Sequence, residues 1–315
     1  MKAALSTVVL QALAVQAVRI VQSNDDGWAE SYARSLHAAL TSSGHNVVLS
    51  GPAENKSGTG TSHLDTLAYR HHTLTHFIGS LDEEPEPRED PCIYDSCPAG
   101  SGPTGTNATS PEFNWVNSFP VTAIKHGIAT AGPALWDGAG PEFAVSGPNV
   151  GSNLFAQVHF SGTVGAACEA VKQGIPAVAF SGASDDHAAW NVAPPASSLV
   201  YGEIATRLTD KLIAAGTPYL PDGIFLNVNF PKVDGTCASA DDFEFVLSRI
   251  NPGIISAPDV EWCGSKRLPT ETTVIRADGC YVSVSIGDAS DKTTANDERQ
   301  DAVLASLKDI LVCLP

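Results

Sequence analysis

Apolar positions along the chain change period several times, and each change marks an element. Residues 18–23, Val-Arg-Ile-Val-Gln-Ser, form a short apolar run of strand type. A turn, Asn24-Asp25-Asp26-Gly27, follows it. Trp28, Tyr32, Leu36 and Leu40 then recur every four residues, which predicts one apolar stripe on a helix that Ser43-Gly44 ends. A second strand is expected over 46–50 and a Gly/Ser/Thr loop over 51–61. Strand, helix and strand at this spacing form a βαβ unit, and its default is an α/β fold with a parallel sheet and helices on its faces. Farther on, the pattern predicts helices over 121–131, from Ser161-Gly162-Thr163 to about Lys172, over 205–215 and over 299–312. Strands are expected over 142–146, 177–181, 223–230 and 281–286, and residues 232–285 read as β-rich. The pattern fails over 81–112, where an acidic Pro-rich run precedes a Gly/Ser/Thr/Pro loop; we read this as a surface insertion in a single domain, stapled by Cys92–Cys97.

Composition narrows the function. The chain has 315 residues, 43% of them hydrophobic, so it can fill a core. Eighteen Lys+Arg face 35 Asp+Glu, a net charge of −17. That balance argues against nucleic-acid polymers, because a phosphate backbone needs basic side chains to release its counterions. A small anionic substrate stays compatible, since one bound divalent cation reverses the local field.

Residues 1–17 read as a secretory signal peptide: Lys2, an apolar stretch Ala3 to Val15, and a small-residue cleavage site at Val15-Gln16-Ala17. Nothing else approaches the length of a membrane span, so no membrane partner is expected. The mature domain is then 18–315, secreted or extracellular. Seven cysteines in an oxidising compartment imply disulfides and one thiol left over, for which Cys168 in a small-residue helix is chosen. The pairing of Cys237, Cys263, Cys280 and Cys313 is left open. Asn55-Lys56-Ser57 and Asn107-Ala108-Thr109 are glycosylation sequons; a glycan is expected on Asn107 and not on Asn55.

Four segments carry candidate chemistry, each where a strand gives way to a loop, the place where open α/β sheets bind ligands. In Ser23-Asn24-Asp25-Asp26-Gly27, adjacent carboxylates repel unless a cation sits beside them; oxygen ligands suit Mg²⁺, Mn²⁺ or Ca²⁺. In Asn55-Lys56-Ser57-Gly58-Thr59 a hydroxyl is available as a further oxygen ligand. Asn149, in Ser146-Gly147-Pro148-Asn149-Val150-Gly151-Ser152-Asn153, offers a neutral carbonyl. Phe160-Ser161-Gly162-Thr163 opens a helix, where free N–H groups and hydroxyls cradle an anion. Taken singly, each segment is as well explained by an Asx turn, a polar loop or an ordinary Ser N-cap. His71-His72 and His76 have helical metal-ligand spacing, and surface or core histidines explain them better.

Together, in this order and spacing, the segments resemble the SurE family of metal-dependent phosphatases and nucleotidases. The resemblance is carried by Ser-Asn-Asp-Asp-Gly, Gly-Pro-Ala-Glu-Asn-Lys-Ser-Gly, Val-Ser-Gly-Pro-Asn-Val-Gly and Phe-Ser-Gly-Thr-Val-Gly-Ala-Ala-Cys-Glu-Ala, and it covers most of 18–290 outside the insertion. It implies a three-layer α/β/α sandwich with a Rossmann-like, mostly parallel sheet. It also implies a C-terminal β-rich extension over roughly 232–270, through which members form dimers or tetramers. Asp25, Asp26, Ser57 and Asn149 would hold one divalent metal ion per subunit, Mg²⁺ or Mn²⁺. Ser161, Gly162 and Thr163 would hold the substrate phosphate, with Asn24, Asn55 and Asn153 nearby. The implied activity is hydrolysis of nucleoside 5′- or 3′-monophosphates or of general phosphate monoesters, including at acid pH. Where the family usually has an Asp-Arg pair before the Asn of the second loop, this chain has Ala53-Glu54, so fewer basic groups face the phosphate.

The chemistry expected is attack by metal-activated water, with Asp25 as ligand and base; direct attack by Asp25 or Asp26 is the variant. Two other readings compete: a serine-type ester hydrolase, disfavoured because Ser161 lacks the Gly-x-Ser-x-Gly elbow, and a secreted binding protein that keeps the scaffold without turnover.

Overall fold

The structure is a computed structural model that describes residues 17–60 and 87–315. Expectations that fall on 1–16 and 61–86, namely nearly all of the leader, the His71-His72-His76 pattern and the start of the insertion, lie outside the described residues. The described strands form one ten-stranded sheet. In chain order they are β1 (Arg19–Ser23), β2 (Asn46–Pro52), β3 (Thr104–Thr106), β4 (Phe113–Val116), β5 (Phe143–Val150), β6 (Ala177–Gly182), β7 (Ile224–Phe230), β8 (Glu244–Ser248), β9 (Tyr281–Asp288) and β10 (Leu311–Val312). Across the sheet they run β10-β8-β9-β7-β6-β5-β1-β2-β4-β3. Pairing is parallel throughout except at β3–β4 and β7–β9.

Alternation of side chains builds the two outer layers. Ile20, Val145, Val178 and Phe180 point to one face, where they meet helices α1 (Ser31–Ser42), α4 (Ala196–Ala214) and α6 (Asp297–Leu307). Val21, Ala144, Ala177 and Ala179 point to the other, against α2 (Pro120–His126) and α3 (Gly162–Lys172). A further helix, α5 (Glu271–Ile275), is a single short turn. The result is the parallel sheet with helices on its faces that the pattern predicted, in the three-layer α/β/α sandwich that the resemblance implied.

Four local differences have physical causes. Trp28 does not join the stripe of Tyr32, Leu36 and Leu40: it precedes α1 and packs on Trp115, ring centroids 5.2 Å apart, in a separate cluster under the 92–97 loop. Helix α4 starts at Ala196, not 205, through Ser197, Ser198 and Gly202. Those residues are weak helix formers, yet Gly202 lets α4 approach α1 so closely that a Cβ there would stand 3.0 Å from the Ser35 backbone. The last helix ends at Leu307, and Leu311–Val312 pair with β8 as β10. Strand β5 runs four residues past the expected Ser146, to Val150, through a register shift between Ser146 and Asn149.

The Cys92–Cys97 staple is present, and Cys168 is the free, buried thiol. The remaining bonds are Cys237–Cys280 and Cys263–Cys313. The 232–270 segment contributes β8 and a long loop, tied down by an ion pair between Arg249 and Asp259.

Candidate functional site

From β1 the chain passes to β2 on one side and later returns to β5 on the other. The carboxyl end of β1 is therefore the switch point of the sheet, and Asp25 and Asp26 stand there. Their carboxylates reach in different directions. Asp25 accepts the Thr163 hydroxyl at Oδ1 (2.5 Å) and the Gly162 N–H at Oδ2 (3.1 Å), both from the start of α3. Asp26 accepts the Val150 N–H at Oδ2 (2.8 Å), and Asn55 Nδ2 (3.2 Å) and the Ser57 hydroxyl (3.3 Å) at Oδ1. One loop, the end of β5 and one helix start thus converge on two adjacent acids.

Glycines permit the convergence at two points. Gly147, at φ +102°, turns the bulge of β5; a Cβ there would lie 2.2 Å from the Phe180 carbonyl oxygen. Gly162 lets α3 approach Asp25, where a Cβ would stand 2.8 Å from the aspartate's own. Past the bulge, Asn149 donates Nδ2 to the carbonyls of Gly151 (2.5 Å) and Val150 (3.3 Å), which leaves its Oδ1 as the end a cation would meet.

Both acids are buried, and burial raises each carboxyl above its ordinary value; at Asp26 the charge of Asp25 adds to the rise. Among the described residues no lysine or arginine pairs with either, so every neutralising contact is a neutral donor. Asn24 Oδ1, Ser23 Oγ and Ser146 Oγ, at the end of β1 and opposite it on β5, are buried with no hydrogen-bond partner among the described residues. The surroundings are short of positive charge and rich in oxygen, which fits a hard divalent cation. Among the described residues no three His, Cys, Asp or Glu gather as a metal cluster, so the remaining oxygens of such a shell would be the Ser57 hydroxyl and the Asn149 amide.

The other expected residues fall as follows. Asn24 donates Nδ2 to Gly27 O (2.9 Å) and closes the acid turn. Asn55 holds Asp26 and, through Oδ1, the Ser57 N–H (2.8 Å). Gly162 and Thr163, expected at the phosphate, direct their donors at Asp25. Ser161 accepts the Val164 N–H as N-cap (3.1 Å). Asn153 is buried: its Nδ2 donates to Ser181 Oγ (2.8 Å), its N–H to Asn229 Oδ1 (2.8 Å), and its carbonyl accepts Asn227 and Asn229.

That amide network ends on a buried acid that sequence reasoning missed. Glu271 accepts Asn227 Nδ2 (2.7 Å) and the Phe155 N–H (3.3 Å), and burial pushes its carboxyl up to about 8. The folded chain therefore holds this proton between about pH 4.5 and 8, where the unfolded chain releases it, and stability falls as pH rises through that window. Glu271→Gln removes the titration, so the variant should gain stability relative to the unaltered protein on going from pH 5 to pH 8. Urea midpoints at the two pH values measure this; a constant difference between the proteins contradicts it.

Lys292 is a second missed group. Its ammonium, nearly buried, donates to the carbonyls of Gly60 (2.9 Å) and His159 (3.2 Å), joining the end of the Ser57 loop to the turn before Ser161. Arg88, also buried, pairs with Glu54 at 2.8 Å and holds that carboxyl below its ordinary value. No periodicity marks any of these three positions.

Comparison with known proteins gives the family and the fold. The family described as Survival protein SurE matches residues 20–253. An acid phosphatase of Yarrowia lipolytica is 30% identical over 296 residues, 85% of this chain and 78% of that protein. A 5′-nucleotidase SurE of Lawsonia intracellularis is 30% identical over 216 residues, 69% of this chain and 67% of that protein. The crystal structure of the SurE protein from Aquifex aeolicus superposes with a TM-score of 0.55 at 20% identity, covering 91% of this chain and 98% of the other, a likeness of fold.

Proposed function

Because the chain belongs to the SurE family, we propose that it hydrolyses phosphate monoesters at the Asp25–Asp26 site with the help of one divalent cation. One observation carries the reading: two adjacent buried acids at the sheet's switch point, held by backbone, amide and hydroxyl donors and, among the described residues, paired with no lysine or arginine. Asp25, Asp26, Ser57 and Asn149 would hold the cation, Mg²⁺ or Mn²⁺. When bound, it supplies positive charge to the phosphoryl oxygens and lowers the pKa of a water. Thr163 and Gly162 aim Asp25, Asn55 and Val150 aim Asp26, and the Ser161 hydroxyl would donate to a phosphate oxygen. Asn24 and Asn153 shape the wall behind it.

The names of the two relatives support nucleoside monophosphates and general monoesters as substrates. Three disulfides support passage through an oxidising compartment and secretion. Asn107 sits in an Asx turn on a polar loop, with Oδ1 accepting Thr109 N–H (3.0 Å), which supports a glycan on its amide; the same amide of Asn55 is engaged by Asp26. Exposed Ile254 and Ile255 in the C-terminal loop support self-association into a dimer or tetramer.

The test is phosphate release from p-nitrophenyl phosphate and AMP between pH 4 and 8. EDTA should abolish turnover and Mg²⁺ or Mn²⁺ restore it. Turnover that EDTA leaves intact favours the serine-type reading, and metal binding without turnover the binding-protein reading; either overturns the proposal.

A further inference from the structure

Of the four side chains that would hold the cation, three stand on or just beyond the sheet: Asp25 and Asp26 follow β1, and Asn149 is in β5. Ser57 is the exception. It lies on the loop after β2, in a stretch where Asn55, Ser57 and Gly58 are exposed, and no strand fixes it. At its front the loop is held by the Lys56 N–H on the Asp25 carbonyl (2.6 Å) and by the Asn55 side chain on Asp26 (3.2 Å). At its rear it is held at Gly60, where the chain is buried again.

Gly60 meets the start of α3 on two sides. Its N–H donates to the Phe160 carbonyl (2.8 Å), and its own carbonyl accepts Lys292 Nζ (2.9 Å). The same ammonium donates to the His159 carbonyl (3.2 Å). The approach is close: a Cβ on Gly60 would stand 2.1 Å from the Ser161 carbonyl oxygen, and one on Gly165 would stand 2.8 Å from the Gly60 carbonyl oxygen. The Ser57 loop and the turn before Ser161 thus form one seam, and Lys292 bridges it.

This lysine is costly to place. Its side chain is buried, yet its printed acceptors are neutral carbonyls; among the described residues the lysines paired with carboxylates are Lys56, Lys125, Lys211 and Lys266. Its backbone has φ +58°, a left-handed conformation that a long side chain disfavours. The turn between β9 and α6 imposes it: the Lys292 N–H donates to the Asp288 carbonyl (2.8 Å), the Asp288 N–H to the Thr293 carbonyl (2.9 Å), and Arg299 pairs with the Asp288 carboxylate (2.6 Å). A buried ammonium on a strained backbone is accounted for when the position of the two carbonyls it holds matters to the site.

We propose that Lys292 is a positioning residue for the cation: by fixing Gly60 against α3, it holds the Ser57 hydroxyl where it completes the oxygen set of Asp25, Asp26 and Asn149. The inference rests on the cation-assisted reading above. Its sign is opposite to that of simple electrostatics. Removing a positive charge from the protein strengthens cation binding by Coulomb's law, whereas loosening a ligand weakens it.

Lys292→Met in the full chain keeps the length of the stem and removes the donor. Titration calorimetry with MnCl₂, without substrate, should show Mn²⁺ affinity about 10-fold weaker than in the unaltered protein. Ser57→Ala should weaken it to a similar extent. Adding Lys292→Met to Ser57→Ala should change it by less than about 2-fold, because both act through one hydroxyl. Gly60→Ala, which forces the seam apart from its other side, should match Lys292→Met, and it carries the test if Lys292→Met does not fold. Asp259→Ala, which loosens the chain elsewhere, should bind Mn²⁺ as the unaltered protein does. Unchanged or tighter binding in Lys292→Met or Gly60→Ala, full additivity with Ser57→Ala, or an equal loss in Asp259→Ala overturns the role of Lys292 and leaves the hydrolase reading in place. No Mn²⁺ binding by the unaltered protein, together with turnover that EDTA leaves intact, overturns both.

Discussion

Asp25→Asn should reduce kcat on p-nitrophenyl phosphate by about 10³-fold or more while the protein melts within a few degrees of its normal temperature. The two halves of this expectation have separate origins. Activity depends on negative charge at this atom, because an amide neither draws in a divalent cation strongly nor accepts a proton from water. Folding does not depend on it. The two partners of Asp25 are the Gly162 N–H and the Thr163 hydroxyl. An asparagine carbonyl can accept the first, and its NH₂ can donate to the second once the hydroxyl rotates. The substitution also removes a buried charge beside Asp26, which burial and that very charge hold above its ordinary value. Asp26→Asn should be as inactive and somewhat less well accommodated, since its Oδ1 faces the Asn55 NH₂. Phosphate release and thermal denaturation in EDTA give both readouts. More than about a tenth of normal activity in Asp25→Asn contradicts the role given to this carboxylate.

Asp259→Ala should lower folding stability by about 3–5 kcal/mol. The Arg249 Nη1 to Asp259 Oδ2 distance is 2.5 Å, with the two side chains 1% and 3% exposed. Asp259 also accepts the Leu268 N–H (3.0 Å) and Gln300 Nε2 (3.1 Å). Truncation leaves the guanidinium buried without its counter-charge and removes the acceptor that fastens the 249–268 loop to α6. Arg249 keeps only the carbonyl and side-chain oxygens of Asn251 and the Ser256 hydroxyl. Urea denaturation measures the loss, and a value under about 1 kcal/mol shows that water reaches the guanidinium instead.

What could be read from the sequence is what local pattern encodes. Residues 18–23 and 177–181 were legible as strands because an apolar run met a turn signal, and the acid pair was legible because two carboxylates in one turn need an explanation. The order of the site segments made the family resemblance visible. Lys292 was not legible. It is ordinary in its own stretch of chain, and only the fold brings it onto the carbonyls of Gly60 and His159. Glu271 was missed for a related reason: glutamate is almost always exposed, and nothing local to α5 signals that Asn227 will receive it. Gly162 and Thr163 were correctly placed at the helix start, but the pattern could not show that their donors would point at Asp25. Trp28 continued a four-residue repeat by coincidence, since the turn that carries it precedes the helix.

The ammonium of Lys292 touches both rims of the acid site from a part of the chain beyond residue 253, where the family match ends. The same tail supplies β9, which lies between β7 and β8, and Cys280, which anchors Cys237. The stretch that the family model matches therefore does not complete the rims of the acid pair by itself in this chain: they are clamped by Lys292, which lies beyond it.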